Sequence, residues 1–277
     1  MYYDNILIVG SGKFAYECAK IVAKIHNSVG VLEYRINRNI SLLGSLCSKN
    51  NLSYGEMNGD IYSLLKDGES YLIISAFNTY IFKSKVINMS NIDIINFHPS
   101  LLPKHPGRNA EAWAIYEGDS KTGITWHMVT EAIDQGDIIE QAEIDIDDHT
   151  TSLSLMIKQN KIGIEIFEKI IPIILNGNIP TKKQYAKEFV YHRSNDVPNN
   201  GYLEPCWDDF LKSQFLRAMD YGKLRILGVP RIKIDHKEYE WSSYRIVDKS
   251  VLNEHRSCDI IIEGVKKNFV LENVKEV

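Results

Sequence analysis

Cysteine is scarce in this chain of 277 residues: there are four, Cys18, Cys47, Cys206 and Cys258, and no two form a CxxC pair. The spacing excludes a zinc ribbon or finger and offers no disulfide framework, so a reducing cytoplasm fits best. Positive charge is not in excess either, because 32 Lys and Arg stand against 36 Asp and Glu, for a net charge of −4. A protein that grips the phosphates of a polymer carries a basic field, so nucleic acid is a disfavoured partner. Long apolar runs are missing too. The first run, NILIVG, has no basic segment before it and ends at a glycine turn, which reads as neither a signal peptide nor a membrane span. No internal repeat or low-complexity tract appears. What remains is the composition of an ordinary soluble protein, 44% hydrophobic and 25% charged, with enough length for one main domain and a smaller companion.

Short apolar runs alternate with helical periods through the first half. NILIVG, VGVLEY, YLIISAF and IDIINF read as strands; KFAYECAKIVAKIHN and ISLLGSLCSKN read as helices. That alternation implies an α/β, Rossmann-like, mostly parallel sheet with helices on both faces. TGITWHMV and GDIIEQAEIDI then suggest an antiparallel pair. A long helix follows, SLSLMIKQNKIGIEIFEKIIPIILNG, with Gly177 in the stop position. Turn formers after NGNIPTKKQ place a boundary near residues 178–186. The expected domains are therefore 1–180, catalytic, and 181–277, a smaller β-rich C-terminal domain with one helix, DDFLKSQFLRAMD.

Two places could carry chemistry. Gly10, Gly12 and Ala15 in GSGKFA follow a strand and open a helix, with Glu33 about 20 residues on, which nearly meets a dinucleotide fingerprint. Tight strand-to-helix packing explains the glycines equally well, and Gly12 with Lys13 could instead hold a substrate phosphate at the helix N-terminus. The second place is NFHPSLLPKHPG. Asn96 and His98 lie two apart on a strand, so both face one side at the sheet's carboxyl edge, and Asp134 sits in a glycine-bearing turn that can reach them. An amide donor, an imidazole and a carboxylate without metal-ligand spacing suit acyl transfer to an amine. Separately, each could be a turn cap, a satisfied histidine or a solvated turn former. His127 reads as support for the same crevice or as a core histidine. His105 and His149 read as surface residues, Cys18 and Cys47 as core.

Taken together, NFHPSLLPKHPG, TGITWHMV and IDQGDIIEQ resemble the folate-dependent formyltransferase family over roughly residues 1–180. The resemblance implies transfer of a formyl group from 10-formyltetrahydrofolate to a primary amine, without a metal, by direct attack. It makes Asn96, His98 and Asp134 the catalytic trio. Asn96 and His98 are expected to stabilise the oxyanion, and Asp134 to keep His98 protonated or to relay the amine proton. It also assigns Phe77, Thr79, Tyr80 and Ile81 of SAFNTYIF, with backbone from Glu131, Ala132 and Ile133, to the pterin.

Within that family, glycinamide ribonucleotide enzymes usually stop near the long helix, methionyl-tRNA enzymes need a basic surface, and deformylases carry an extra preceding domain. The sugar N-formyltransferases, acting on nucleotide-linked amino sugars in polysaccharide synthesis, fit best. The tail resembles theirs in outline, although YGKLRILGVPRI departs from their usual Pro- and Phe-rich helix ending. Arg108, Asn109, Glu111 and Trp113 of GRNAEAW are the expected acceptor-site residues, an arginine suiting a phosphate and a carboxylate suiting an amine or hydroxyl. An exposed, capped helix start is the alternative for that stretch. His192 and Arg193 are expected to reach a nucleotide phosphate or to form a surface hinge, and Trp207 and Trp241 to pack the small domain. The family further implies a homodimer through that domain. Formylation of another small amine, methionyl-tRNA formylation, and a non-catalytic folate or nucleotide-sugar binding protein stay open.

Overall fold

The computed structural model describes residues 2–35, 41–185, 190–251 and 259–277; Cys258 and residue 186 of the expected boundary lie outside them. Two compact units emerge, one made of residues 1–106, 123–144 and 158–190, the other of 107–122, 145–157 and 191–277. The division is thus interleaved rather than linear. Segment 107–122 joins the second unit because its helix α4 (Ala110–Tyr116) packs on α6 (Asp209–Met219), with Tyr116 and Phe215 ring centroids 6.5 Å apart.

The first unit is built on seven strands: β1 (Asn5–Gly10), β2 (Val29–Tyr34), β3 (Ser53–Met57), β4 (Tyr71–Ala76), β5 (Ile92–His98), β6 (Lys121–Met128) and β7 (Ile138–Asp145). Their order is β3-β2-β1-β4-β5-β6-β7. Neighbours from β3 to β5 pair in parallel, and β6 runs antiparallel to β5. Met128 N–H reaches the Asp137 carbonyl at 2.9 Å while Gly123 faces the Ala142 carbonyl, so β6 and β7 run in opposite directions, as their sequences suggest. The central strand β4, YLIISA, is buried at every position, which requires cover on both faces. α1 (Gly12–Val22), α2 (Leu42–Lys49) and the short α3 (Ser84–Ile87) lie in the crossovers, and α5 (Ser152–Ile174) follows the last strand. α1 stops short of the expected Asn27. The His26 ring instead donates from Nε2 to the Tyr3 carbonyl and accepts Ser28 N–H at Nδ1, both at 3.1 Å, where the chain turns back to the sheet.

The second unit holds a four-stranded sheet of β8 (Tyr202–Leu203), β9 (Arg231–Ile234), β10 (Lys237–Glu240) and β14 (Lys275–Glu276), and a three-stranded sheet of β11 (Ser243–Asp248), β12 (Ile260–Glu263) and β13 (Lys267–Glu272). Two aspartates at the start of α6 do distinct work. Asp208 caps the helix by accepting Leu211 N–H at 2.8 Å, and Asp209 accepts the N–H groups of Val265, Lys266 and Lys267 at 2.9, 2.7 and 3.1 Å, tying the β12–β13 turn to the helix. Trp241 is buried and Trp207 packs on Phe215, so both tryptophans serve the core of this unit.

Among the described residues no helix is long and apolar enough to cross a membrane.

Candidate active site

The chain order reverses between β1 and β4, and open α/β sheets place their ligands beyond the carboxyl ends of the strands at such a point. Asn96 and His98 end the next strand along. Between them Phe97 points to the opposite face, against Gly163 of α5; a Cβ on that glycine would sit 2.3 Å from the Phe97 ring. Phe97 thereby anchors the strand and leaves its two polar neighbours on one side. The β5–β6 register sets His127 opposite Asn96 and Thr125 opposite His98, so these four side chains share a face.

Each has a defined partner. His127 Nδ1 donates to the Met128 carbonyl at 2.8 Å, which leaves Nε2 to accept Asn96 Nδ2–H at 3.0 Å. That bond sets which way the Asn96 amide points and uses only one of its two hydrogens. His98 Nε2 donates to the His105 carbonyl at 2.8 Å, so Nδ1 faces Asp134 Oδ2 at 3.5 Å. Asp134 Oδ1 lies 3.6 Å from His127 Nε2. Asn96, His98, Asp134 and His127 therefore converge within this unit.

The His105 carbonyl is itself held. Thr125 Oγ1 donates to the Ser100 carbonyl at 2.7 Å and accepts Leu102 N–H at 3.1 Å; Gln141 Nε2 bonds the Leu102 carbonyl at 2.9 Å; Gln159 on α5 donates to the carbonyls of Pro99 and Gly123 at 2.7 and 3.0 Å. The loop from Pro99 to His105, which includes a cis Leu102–Pro103 bond, is thus stiffened from three elements. His105 is 6% exposed and not the surface residue its loop context suggested; its backbone must turn inward to meet His98. His149 is exposed as expected.

Burial lowers the His98 pKa from its ordinary 6.5, and the Asp134 carboxylate opposes that without overturning it. The neutral imidazole is favoured, the form that can accept a proton. As pH falls, the unfolded chain takes up this proton first, so the stability His98 contributes is present above pH 6.5 and is lost as pH drops below it. Imidazole titration by NMR is expected to give His98 a midpoint below 6.5; a midpoint at or above that value contradicts the assignment.

Other expected residues fall as follows. Phe77 has φ 54° and its carbonyl accepts Ser11 Oγ at 2.9 Å. Thr79 and Ile81 are exposed, but Tyr80 is buried, its hydroxyl bonded to Asp60 and to Ile61 N–H, both at 3.2 Å. The Tyr80 hydroxyl therefore anchors the loop. Glu131, Ala132 and Ile133 are exposed, with the Ala132 carbonyl already accepting Thr130 Oγ1 at 2.9 Å. At the glycine turn, a Cβ on Gly10 would lie 1.9 Å from the Ala76 carbonyl, while Gly12 has φ +64° in open space and Lys13 is exposed. Packing accounts for Gly10. Glu33 is engaged by Ser41 and by the Tyr54 hydroxyl at 2.8 Å, not presented as a ribose ligand.

Arg108, Asn109, Glu111, Trp113, His192 and Arg193 all belong to the second unit. Arg108 is exposed, its N–H bonded to the His192 carbonyl at 2.9 Å. Asn109 starts α4 with φ 55° and no side-chain cap. Glu111 does not line a surface: it is 6% exposed and accepts the Tyr221 hydroxyl at 2.8 Å. The apolar face of α4 that packs on α6 carries it inward. Trp113 stacks on the buried His192 ring, 4.0 Å apart and 6° from parallel, so both stabilise the unit, while Arg193 stays exposed. Burial raises the Glu111 pKa, so ionising it costs stability as pH rises above its ordinary 4.5. Glu111→Gln is expected to gain stability relative to wild type with increasing pH, measured by urea unfolding at acid and neutral pH.

Residues 11–171 match the family model described as Formyl transferase, more than half of the chain. GDP-perosamine N-formyltransferase of Brucella melitensis is 26% identical over 241 residues, 85% of this chain and 91% of that protein. Methionyl-tRNA formyltransferase of Clostridioides difficile is 33% identical over 120 residues, only 43% of this chain and 38% of that protein. In fold, the chain is similar to an N-formyltransferase from Helicobacter canadensis solved with folinic acid and dTDP-3-aminofucose, with TM-score 0.77, 19% identity and 99% of each chain covered. A doubly wound sheet whose β5 edge gathers an amide, an imidazole and a carboxylate, within a segment matched as a whole, places this chain in the formyl transferase family.

Proposed function

We propose that this protein moves the formyl group of 10-formyltetrahydrofolate onto the primary amine of a nucleotide-linked amino sugar. The observation that carries the proposal is the convergence of Asn96, His98 and Asp134 with their hydrogen-bonding roles set: an Asn96 amide hydrogen left for an oxyanion, and His98 Nδ1 turned to the carboxylate. The neutral amine attacks the formyl carbon and a tetrahedral oxyanion forms, facing Asn96. His98 Nδ1 takes the amine proton, with Asp134 stabilising the imidazolium. The proton then goes to the folate nitrogen as its bond to carbon breaks, so no acyl-enzyme forms. Since Nε2–H is committed to the His105 carbonyl, oxyanion stabilisation rests on Asn96 and proton transfer on the His98–Asp134 pair.

Folate as donor is supported by the folinic acid in the similar Helicobacter canadensis structure, with Phe77, Thr79 and Ile81 and the backbone of 131–133 as the pterin-binding stretch. A sugar acceptor is supported by near end-to-end similarity to the GDP-perosamine enzyme, and a tRNA acceptor is disfavoured by the net charge of −4. Lys13 in the first unit, and separately Arg108 and Arg193 in the second, are exposed cations suited to a phosphate. Tetrahydrofolate release should be followed across a panel of dTDP- and GDP-linked amino sugars. Release with at least one member, dependent on its free amine, is expected; release that ignores the acceptor, or none at all, overturns the proposal.

A further inference from the structure

Asp134 is held in a left-handed backbone conformation, φ 57°, which a non-glycine residue rarely adopts and which persists only where the surroundings impose it. Gly136, two residues on, leaves no room for relaxation, because a Cβ there would lie 1.8 Å from the Met128 carbonyl. The side chain that bridges this turn comes from far along the chain. Gln184 Nε2 donates one hydrogen to the Asp134 carbonyl at 3.0 Å and the other to the Gly136 carbonyl at 2.5 Å. Its own backbone is placed independently: Lys182 and Ile138 exchange two N–H···O bonds of 2.7 Å at the entry to β7. A primary amide suits the task, since both donors are used and neither receiving carbonyl can donate.

We propose that Gln184 is a positioning residue that clamps the Asp134 turn, fixing the carboxylate opposite His98 Nδ1. The proposal rests on the reading of Asp134 as the partner of His98 in proton transfer. The groups facing His98 are Asp134, His127 and His105, the last through both its backbone carbonyl and its ring. Gln184 touches none of the reacting atoms, so it acts only through Asp134.

The variants are Gln184→Ala and the isosteric Gln184→Glu, whose carboxylate cannot donate to either carbonyl. Either is expected to lower kcat on the order of tenfold to a hundredfold, the effect of a misplaced catalytic group, with both KM values changed less than about twofold. In an Asp134→Asn background the same change should have less than about a twofold further effect, because residues acting through one group are not additive. Equal losses in both backgrounds, or an unchanged kcat in the single variants, overturns the clamp. Full turnover by Asp134→Asn overturns the proton-transfer reading and the clamp with it; an impaired Asp134→Asn beside fully active Gln184 variants removes the clamp alone. A readout that needs no acceptor is the NMR titration of His98: loosening Asp134 should move its midpoint down, towards that of Asp134→Asn. A midpoint unchanged in both folded Gln184 variants contradicts the inference.

Discussion

Asn96→Ala is expected to lower kcat by about a hundredfold to a thousandfold, the loss of about 3 to 4 kcal/mol that follows removal of one oxyanion donor. The size follows from the division of roles at the edge of β5. His98 spends Nε2–H on the His105 carbonyl, which leaves the Asn96 amide as the side-chain donor for charge developing on the formyl oxygen. The fold should not suffer, because Asn96 is only half-buried and its hydrogen-bond partner His127 keeps its own bond to Met128. Circular dichroism and a thermal midpoint like the wild type's are therefore part of the expected result. His127→Ala frees the Asn96 amide to rotate without removing it, so its loss should be smaller. An Asn96→Ala enzyme within about threefold of wild type would show that the oxyanion is stabilised elsewhere.

Gly136→Ala is expected to be nearly as damaging, by a different route. The added methyl would fall 1.8 Å from the Met128 carbonyl, a backbone atom that also begins the β6–β7 connection. Something must shift, and the shift enters a turn whose Asp134 already has φ 57°. A displacement of about 1 Å in a catalytic carboxylate costs on the order of a hundredfold in rate. The loss should appear in kcat, with a modest fall in thermal midpoint, since the turn is exposed at residues 130–133 and lies outside the buried core. Wild-type turnover in Gly136→Ala would mean that the turn tolerates movement and that Asp134 need not be held.

Much of this site is visible in residue order alone, because its side chains obey simple periods. Asn96 and His98 share a face by the two-residue repeat of a strand, and Thr125 and His127 repeat the pattern on the partner strand. Glycine marks the turn beside Asp134. The carbonyl of His105 is invisible in the same way that any backbone group is: residue type carries no signal for it, and a loop of prolines and lysine reads as surface. Gln184 is equally silent, a polar residue after a helix, linked to Asp134 only by the path of the chain.

The fold shows a similar split. The strongly apolar β1, β2, β4 and β5 declare themselves, whereas β3, SYGEM, is an edge strand with one buried residue and no apolar alternation. Helix α4 begins in GRNAEAW, the alternative reading of that stretch, and which of its faces is covered depends on α6, a hundred residues later. That pairing turns Glu111 inward to Tyr221. It also makes the units interleave, which no linear change in composition reveals.

The most direct test of the central claim follows the formyl carbon itself. Folate carrying an isotopically labelled formyl group is mixed with enzyme and a nucleotide-linked amino sugar under single-turnover conditions, and the label is located by NMR. Direct attack at Asn96, His98 and Asp134 predicts that all label leaves folate as an amide on the sugar nitrogen, at a rate that Asn96→Ala slows by about a hundredfold or more. Label recovered as free formate, or transfer that is indifferent to Asn96, would contradict it.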